Sequence, residues 1–377
     1  MIQYVGVNDH SVDLFEGQFV VPNGMAYNSY LIRDNKIAVT DTVSREFVDE
    51  WLNNLRTALD GAAPDYLIVH HMEPDHSAGI AAFAKAYPEA VIVATDKAFS
   101  MMHGFFCDDY VTRRLVVKDG DTLSLGDGTL TFYTAPMVHW PEVMLSYYDR
   151  DRALFSADAF GKFGARDTDE DWACEARRYY FGIVGKYGGP VQTLLKKLGG
   201  VDIAVIHPLH GPSLDEDLGY YLNLYNVWSS YGVESEGVCI CYTSVYGNTA
   251  EAARLLADEL NALGCPKVAL NDLARCDMAE AVEDAFRYGK LVLATTTYNG
   301  GIFPFMHTFV EALTERGYQN RHISLIENGS WAPTAAKTIT KMFENSKNIT
   351  FGDTVTIHSA LTDDNRTAIK QMAHRLL

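Results

Sequence analysis

The feature that most constrains the fold is the segment His71 to His76, which reads HMEPDH and offers four potential metal ligands. It follows the apolar run Tyr66 to Val69 and precedes a helical pattern from Ala78 to Tyr87. A strand that ends in a loop delivers side chains to the open edge of a sheet, where they can converge on an ion. A solvated acidic turn is the alternative, but imidazole and carboxylate groups at this density would repel or desolvate one another. The segment therefore predicts a metal site.

Length and composition favour a globular protein of about two domains. The chain has 377 residues, of which 47% are hydrophobic and 21% are charged. The formal net charge of -18 argues against nucleic acid and against an anionic membrane as partners, because neutralising phosphates requires an excess of Lys and Arg. The segment Met1 to Glu16 is acidic and has no basic start followed by an apolar core, and no apolar stretch is long enough to span a bilayer. We therefore expect a cytoplasmic protein.

The cysteines argue against a rubredoxin-type iron centre or a zinc ribbon. No two of them have the Cys-x-x-Cys spacing that such sites use. Two of them lie two residues apart in a strand-like run and would share one face, where a buried thiol acts as a small apolar group. We expect free thiols at all six positions, which are Cys107, Cys174, Cys239, Cys241, Cys265 and Cys276.

Residues 1–234 have the pattern of a mixed α/β domain. Apolar and polar residues alternate from Phe19 to Thr42, with turn signals typical of hairpins. Further strands are predicted at Tyr66 to His70, Val91 to Thr95, Thr129 to Thr134, Met144 to Tyr148, Ala153 to Ser156 and Ile203 to Ile206. Helical periodicity is found at Ser44 to Leu59, Ser77 to Tyr87 and Gly188 to Leu198. We expect two sheets packed face to face with helices outside.

Residues 235–377 have a more regular pattern, which begins after a glycine-containing and acidic segment, Tyr231 to Gly237. Strands are predicted at Val238 to Tyr242, Lys267 to Leu270, Leu291 to Thr295, His322 to Ile326 and Thr354 to Ile357. Helices are predicted at Thr249 to Leu263, Met278 to Phe286, Phe305 to Arg316, Ala335 to Asn345 and Asp363 to Leu376. Five β-α units predict a doubly wound parallel sheet of five strands.

Three further potential ligands each follow a predicted strand of the first domain. The complete candidate set is His71, Glu73, Asp75, His76, His139, Asp158 and His210. It is large enough for two ions if Asp158 bridges them, whereas one zinc ion needs only three or four ligands. His70 and His207 are interpreted as core or supporting residues, because they lie on the strand side of the neighbouring ligands. No catalytic residue beyond the metal ligands is predicted.

The order of these ligands resembles the metallo-β-lactamase-like αβ/βα sandwich domain of the A-type flavodiiron proteins. The resemblance implies that one iron is bound by His71, Glu73 and His139, that the other is bound by Asp75, His76 and His210, and that Asp158 bridges them. Zinc hydrolases of the same superfamily usually carry His where this chain has Glu73. A carboxylate oxygen at this position shifts the preference of the site toward iron.

The second domain opens with a strand that feeds a hydroxyl-rich, glycine-containing turn before a helix, the arrangement of a phosphate site. The turn lacks the motif of a nucleoside triphosphate loop and the spaced glycines of a dinucleotide site. It resembles the FMN phosphate loop of flavodoxins. The residues concerned are Thr243, Ser244, Val245, Tyr246, Gly247, Asn248 and Thr249. No basic residue lies among them, so a monophosphate held by neutral donors fits.

Two further loops are predicted to hold the isoalloxazine ring, because ligands of doubly wound folds bind at the carboxyl ends of the strands. Tyr298 and Trp331 can stack on the ring, and glycine lets the backbone approach it. An ordinary packing role is the alternative for either aromatic residue alone. The predicted contacts are Thr296, Thr297, Tyr298, Asn299, Gly300, Asn328, Gly329, Ser330 and Trp331.

The resemblance covers essentially the whole chain and implies an oxidoreductase. FMN and two ferrous ions together store four electrons, which is enough to reduce O2 to water, and two electrons convert two NO molecules to N2O. Because the chain ends at Leu377, directly after the fifth β-α unit, we expect an external electron donor, by resemblance a rubredoxin. The resemblance also implies a head-to-tail homodimer or a dimer of dimers.

Two other functions remain possible from the sequence. One is a zinc hydrolase of the metallo-β-lactamase superfamily with an accessory flavodoxin domain, against which Glu73 argues. The other is an electron carrier whose first domain is merely structural. Ligand spacing does not rank O2 against NO, because both bind the same ferrous pair.

Overall fold

The computed structural model describes residues 1–108 and 110–377. The chain divides into two units, Met1–Asn226 and Val227–Leu377. Residues 227–234 belong to the second unit, and the predicted functional boundary between residues 234 and 235 stays a prediction. Among the described residues no helix combines the length and the apolar character needed to cross a bilayer.

The first unit is built mainly of short strands. They are Ile2–Tyr4 (β1), Val7–Asp9 (β2), Leu14–Phe15 (β3), Phe19–Val20 (β4), Met25–Tyr27 (β5), Tyr30–Arg33 (β6), Ile37–Thr40 (β7), Tyr66–Ile68 (β8), Val91–Ala94 (β9), Arg114–Val116 (β10), Thr122–Ser124 (β11), Thr129–Thr134 (β12), Met144–Tyr148 (β13), Ala153–Phe155 (β14) and Val205–His207 (β15). The helices are Val48–Leu59 (α1), Pro74–Ser77 (α2), Ile80–Ala86 (α3), Asp96–Phe106 (α4), Trp172–Tyr179 (α5), Gly188–Leu198 (α6) and Leu218–Ser229 (α7), the last of which contains the boundary between the units.

Eleven of these strands form two sheets that share one apolar core, and the other four form the two-stranded pairs β2-β5 and β3-β4. One sheet has the order β1-β6-β7-β8-β9-β10 and the other the order β11-β12-β13-β14-β15. Ile32, Ile68 and Val93 of the first sheet belong to the same fully buried cluster as Phe132 and Met144 of the second. Burying each such side chain contributes about 1.5–3 kcal/mol. The predicted sandwich of two sheets is confirmed.

Helices α4 and α5 were not predicted from the sequence, although both carry a helix-start signal. Thr95 precedes α4, and its hydroxyl accepts a hydrogen bond from the Ala98 N–H at 3.2 Å. Asp171 precedes α5, and its carboxylate accepts from the Ala173 N–H at 3.2 Å. A capping side chain supplies an acceptor for an N–H group that the first turn leaves unpaired. Thr95 and Asp171 are therefore the sequence signals from which the starts of α4 and α5 could have been predicted.

The second unit is a doubly wound sheet with helices on both faces. Its strands are Ser235–Tyr242 (β16), Val268–Asp272 (β17), Tyr288–Tyr298 (β18), Gly301–Ile302 (β19), Arg321–Asn328 (β20) and Ile349–Ile357 (β21). Its helices are Asn248–Ala262 (α8), Met278–Arg287 (α9), Pro304–Glu315 (α10), Ala335–Met342 (α11) and Asp363–Leu376 (α12). The parallel strands have the order β17-β16-β18-β20-β21, and β19 adds a short antiparallel pairing to β18. The predicted five-stranded parallel sheet is confirmed.

This strand order creates a crevice at the carboxyl ends of the strands. β16 lies between β17 and β18, so the connections that leave β16 and β18 diverge to opposite faces of the sheet. In open α/β sheets this switch point is where ligands bind. The hydroxyl-rich turn after β16 and the aromatic turn after β18 therefore lie at the same edge.

One carboxylate ties together turns from the two sheets of the first unit. Asp34 accepts hydrogen bonds from the N–H groups of Asn35 at 2.7 Å, Asp127 at 3.1 Å and Gly128 at 2.8 Å, and from the Tyr148 hydroxyl at 2.7 Å. Burial raises the pKa of the Asp34 carboxyl, but these donors, the Tyr148 hydroxyl first, outweigh it and hold the pKa well below its usual range. The ionised form of Asp34 therefore stabilises the fold.

Replacing Asp34 by alanine is expected to lower the free energy of unfolding by about 2–3 kcal/mol at pH 7, because it leaves the N–H of buried Gly128 and the hydroxyl of buried Tyr148 unpaired. Since the folded-state pKa is depressed, the contribution is fully present above the unfolded value of about 3.9 and is lost as the pH falls toward the folded value. The gap between wild type and variant should therefore shrink below about pH 4. Urea unfolding followed by circular dichroism at pH 7 and pH 3 checks this.

The matched control for this experiment is Asp127→Asn, which removes a charge from a neighbouring, exposed side chain. It is expected to change stability by less than about 0.5 kcal/mol. The prediction is contradicted if D34A lowers the free energy of unfolding no more than the control does, or if the difference between D34A and wild type increases in acid.

Candidate functional site

The loop after β8 carries the first four candidate ligands. His71 and Glu73 lie in the loop itself, whereas Asp75 and His76 lie on α2. Pro74 is the first residue of α2, where its fixed φ favours helix initiation and its missing N–H costs nothing. The turn of the chain at this proline separates the four side chains into two pairs.

The first pair joins His139 and Asp158 in a compact group. Glu73 Oε2 lies 3.2 Å from His71 Nε2 and 3.1 Å from His139 Nε2. Asp158 Oδ2 lies 3.2 Å from His71 Nε2 and 3.1 Å from His139 Nε2. One ligand atom from each of the four residues lies within 4.8 Å of all the others, as metal coordination requires.

The second pair joins His210. The Nε2 atoms of His76 and His210 face each other at 3.0 Å, and Asp75 Oδ2 lies 3.3 Å from the first and 3.4 Å from the second. Asp158 reaches this group with its other oxygen, because Oδ1 lies 3.5 Å from His76 Nε2 and 3.7 Å from His210 Nε2. Asp158 thus presents one oxygen to each group.

The carboxylates of the two groups have the environment expected of metal ligands. Both oxygens of Asp75 and both oxygens of Asp158 are buried and have no hydrogen-bond partner among the described residues. A buried, unpaired carboxylate is costly unless it pairs with a cation or coordinates a metal. Two imidazole Nε2 atoms that face each other likewise suit a shared cation. The residues therefore fit two metal ions with Asp158 between them.

The charges of the cluster strongly perturb one another. Burial lowers the pKa of His139, but the carboxylates of Asp158 and Glu73, each with an oxygen 3.1 Å from its Nε2 atom, outweigh burial and raise the pKa to about 9. Burial raises the pKa of Asp75 to about 6. Burial, followed by the charge of His76, lowers the pKa of His210 to about 3. Such closely packed groups of both signs are characteristic of functional sites.

The imidazoles are oriented by residues that the sequence analysis did not assign to the site. His71 Nδ1 lies 2.8 Å from Glu142 Oε1, and His210 Nδ1 lies 2.8 Å from the Ala26 carbonyl. Glu142 was visible in the sequence as an acid three residues after His139 and two residues before the strand that begins at Met144. Ala26 offered no signal, because its backbone rather than its side chain makes the contact.

His70 and His207 lie outside both ligand groups, in agreement with their interpretation as core residues. The His70 ring bonds Asp41 Oδ2 at 2.5 Å through Nδ1 and Ser146 Oγ at 2.7 Å through Nε2. The His207 ring bonds Ser213 Oγ at 2.8 Å, and burial lowers its pKa to about 4. His70 therefore joins the end of β7 to the second sheet and holds the start of the ligand loop.

A cavity of about 410 Å³ reaches the ligand groups from outside. Glu73 and Asp75 line its inner wall, and Leu14, Phe15 and Glu16 of the β3–β4 hairpin line another. The Phe15 ring lies edge-on to His210, with ring centroids 5.4 Å apart. Burial and the neighbouring Glu73 raise the pKa of Glu16 to about 7. This cavity gives a small molecule access to the ligands.

A second cavity, of about 580 Å³, lies at the carboxyl edge of the sheet in the second unit. Most residues predicted to bind FMN line it, namely Ser244, Val245, Tyr246, Asn248, Thr249, Thr296, Thr297, Tyr298, Asn299, Gly300, Asn328, Gly329, Ser330 and Trp331. Three lining residues were not predicted, namely Ala332, Thr334 and Ser359. Ser359 follows β21, so the rule that ligands bind at carboxyl strand ends was the signal that could have found it.

Two predicted residues, Thr243 and Gly247, are not among those that line this cavity. The Thr243 hydroxyl is fully buried and bonds the Thr295 hydroxyl at 2.6 Å. Gly247 directly precedes α8 with a φ of +97°, a conformation that glycine adopts at little cost. Its N–H donates to Ser244 Oγ at 3.1 Å, so both residues shape the turn.

The second cavity has the chemistry needed for a flat ring and a phosphate. Tyr298 is 43% and Trp331 92% exposed, which leaves both aromatic faces available for stacking. The hydroxyls of Thr296 and Thr334 are buried and have no partner among the described residues. The N-terminus of α8, which begins at Asn248, supplies unpaired N–H groups for an anion. These features fit FMN.

The similarity of this chain to known proteins is not confined to the two candidate sites. The family model described as ODP family beta lactamase matches residues 25–211. The anaerobic nitric oxide reductase flavorubredoxin of Salmonella typhi is 30% identical over 358 residues, which cover 92% of this chain and 74% of that protein. The protein of the same description from Escherichia coli O1:K1 / APEC is 29% identical with the same coverage.

Solved structures agree with this relationship. Rubredoxin oxygen:oxidoreductase from Desulfovibrio gigas has a TM-score of 0.91 and 26% identity, covering 100% of this chain and 96% of that one. The flavodiiron protein of Giardia intestinalis has a TM-score of 0.88 at 24% identity, covers 100% of this chain and 94% of that one, and supports the fold. With its ligand order, its second cavity and these relatives, the chain belongs to the flavodiiron protein family.

Proposed function

We propose that this protein is a flavodiiron oxidoreductase that reduces O2 to water, NO to N2O, or both, with electrons that enter through FMN. The observation that carries the proposal is the position of Asp158, whose two oxygens face two separate groups of histidine and carboxylate ligands. Relatives named as a nitric oxide reductase and an oxygen oxidoreductase support the same chemistry.

We assign one iron to His71, Glu73 and His139 and the other to Asp75, His76 and His210, with Asp158 shared between them. Two ferrous ions, when bound, supply two electrons and Lewis acidity at adjacent positions. The mixed carboxylate and imidazole set suits iron, and Glu73 argues against the alternative of a zinc hydrolase. Burial of the four histidines and Asp158 excludes bulk water from most of the site, and the cavity lined by Glu73 and Asp75 admits a diatomic molecule.

FMN is assigned to the cavity of the second unit. The turn Ser244 to Thr249 and the N-terminus of α8 would hold the phosphate with neutral donors, and Tyr298 and Trp331 would flank the ring. FMN supplies two electrons when fully reduced. The Asn328 amide donates to the Ser359 carbonyl at 2.9 Å and the Ser359 N–H donates back to Asn328 at 3.1 Å, so the loops after β20 and β21 brace each other.

Further proposals concern partners, compartment and domain boundary. An external donor of the rubredoxin type is supported by the words rubredoxin and flavorubredoxin in the names of the relatives. A head-to-tail homodimer or dimer of dimers is supported by the exposed aromatic residues Tyr246 and Trp331 at the cavity.

A cytoplasmic location is supported by the free thiols, because the Sγ atoms of Cys239 and Cys241 lie 3.5 Å apart without forming a disulfide. The functional boundary proposed is 1–234 and 235–377.

Replacing Asp158 by asparagine is expected to reduce iron binding below two ions per chain, because the shared anionic ligand is lost. Reduction of O2 and NO should fall by about 100-fold or more, at least as much as losing a residue that only supports a ligand. Metal analysis, flavin absorbance and amperometric gas uptake measure these effects. FMN content should not change.

The control for this variant is Asp149→Asn, a neutralised aspartate at an exposed position outside both ligand groups. It should keep two irons and full gas uptake. Native protein filled with zinc, or D158N that keeps two irons and normal uptake, would rule out the proposed function.

Flavin-free protein is expected to bind FMN at least about 100-fold more tightly than riboflavin, because hydrogen bonds to a charged group contribute about 1.5–3 kcal/mol each. Ser244→Ala should weaken FMN binding by about 10-fold and riboflavin binding much less, since Ser244 lies in the turn that is assigned to the phosphate. Quenching of flavin fluorescence measures both constants. Ser346→Ala, outside the cavity lining, is the matched control, and equal affinities for the two flavins would refute the phosphate assignment.

A further inference from the structure

The two ligand groups are matched in their donor types. Each contains two imidazoles and one carboxylate of its own, and Asp158 serves both. Equal donor sets with equal formal charge would make two bound irons equivalent. Any difference between them must come from the residues that support the ligands.

His71 is supported by a buried carboxylate. Glu142 Oε1 accepts a hydrogen bond from the Met72 N–H at 2.9 Å and lies 2.8 Å from His71 Nδ1, and the side chains of His71 and Glu142 are fully buried. An ionised carboxylate can only accept a hydrogen bond, so the Nδ1 atom of His71 must carry the hydrogen and donate it to Glu142. Nε2 is then free to bind a metal, and it points at Glu73 and Asp158.

The second group has no such support among the described residues. His210 Nδ1 donates to the neutral Ala26 carbonyl at 2.8 Å. His76 Nδ1 is buried and has no hydrogen-bond partner among the residues that the structure describes. The extra negative charge therefore lies on the side of His71.

We propose that Glu142 makes the two iron positions unequal, so that the group of His71, Glu73 and His139 binds its ion more tightly and favours its ferric state. This inference rests on the proposed function. A carboxylate behind a histidine raises the basicity of the ligating nitrogen, and a nearby negative charge in a buried site stabilises the ion of higher charge. The ion held by Asp75, His76 and His210 is then the first to be reduced.

Glu142→Gln separates the charge of this residue from its shape, because the amide oxygen still accepts from Met72. Apoprotein is titrated anaerobically with Co²⁺, which reports binding through its visible absorption. We expect wild type to bind two ions per chain, and E142Q to bind one of them about 10–100-fold more weakly and the other unchanged. Asp65→Asn, which neutralises an exposed aspartate that also accepts a backbone N–H, should leave both constants unchanged.

The second readout is a redox titration of the iron-loaded protein followed by electron paramagnetic resonance. We expect two resolved one-electron couples in wild type and in D65N, and a raised lower couple with a smaller separation in E142Q. A merely structural role of Glu142 would not shift one couple selectively. Equal shifts of both couples, or no shift, would overturn the inference while leaving the proposed function intact.

Two outcomes in wild type itself also decide the matter and do not depend on the folding of any variant. Two Co²⁺ ions bound with equal constants and two coincident iron couples would overturn the inference alone. Fewer than two ions per chain would overturn the proposed function and, with it, this inference.

Discussion

The structure of the first unit depends on the compensation of one buried carboxylate, that of Asp158, by the groups around it. Asp158 is 1% exposed and neither of its oxygens has a hydrogen-bond partner among the described residues. Four imidazole Nε2 atoms lie 3.1–3.7 Å from those oxygens. An isolated carboxylate in this environment would cost several kcal/mol. The elements around Asp158 therefore have to position the histidines next to its two oxygens.

That requirement explains the polar contacts at the ends of the strands. Asp41 accepts from both the N–H and the ring of His70, and the His70 carbonyl accepts from the Met144 N–H at 3.1 Å. Thr42 uses its N–H and its hydroxyl to bond the His76 carbonyl, both at 2.8 Å. Backbone groups on either side of the ligand loop are thus fixed by the end of β7. Orientation of the ligands is a property of both sheets.

In the second unit, the carboxyl edge of the parallel sheet carries a cavity of a different chemical character. Its cavity carries hydroxyls, amides and aromatic rings and no charged side chain among its lining residues. Because no lining residue is cationic, a phosphate bound there would be held by N–H groups and hydroxyls. A neutral cavity suits a cofactor whose ring changes its charge on reduction, because tuning then rests on a few backbone and side-chain contacts.

The order of residues along the chain was enough to predict the fold class of both units, the seven candidate metal ligands and most of the residues that line the second cavity. Apolar periodicity and strand-end position are local properties, so His139, Asp158 and Trp331 could be assigned without coordinates. Only the packed strands show which oxygen of Asp158 faces each ligand group, and that Glu142 supports His71 alone. These depend on which oxygen or ring nitrogen points where, and chain spacing does not encode distances between residues that meet only when separate strands pack together.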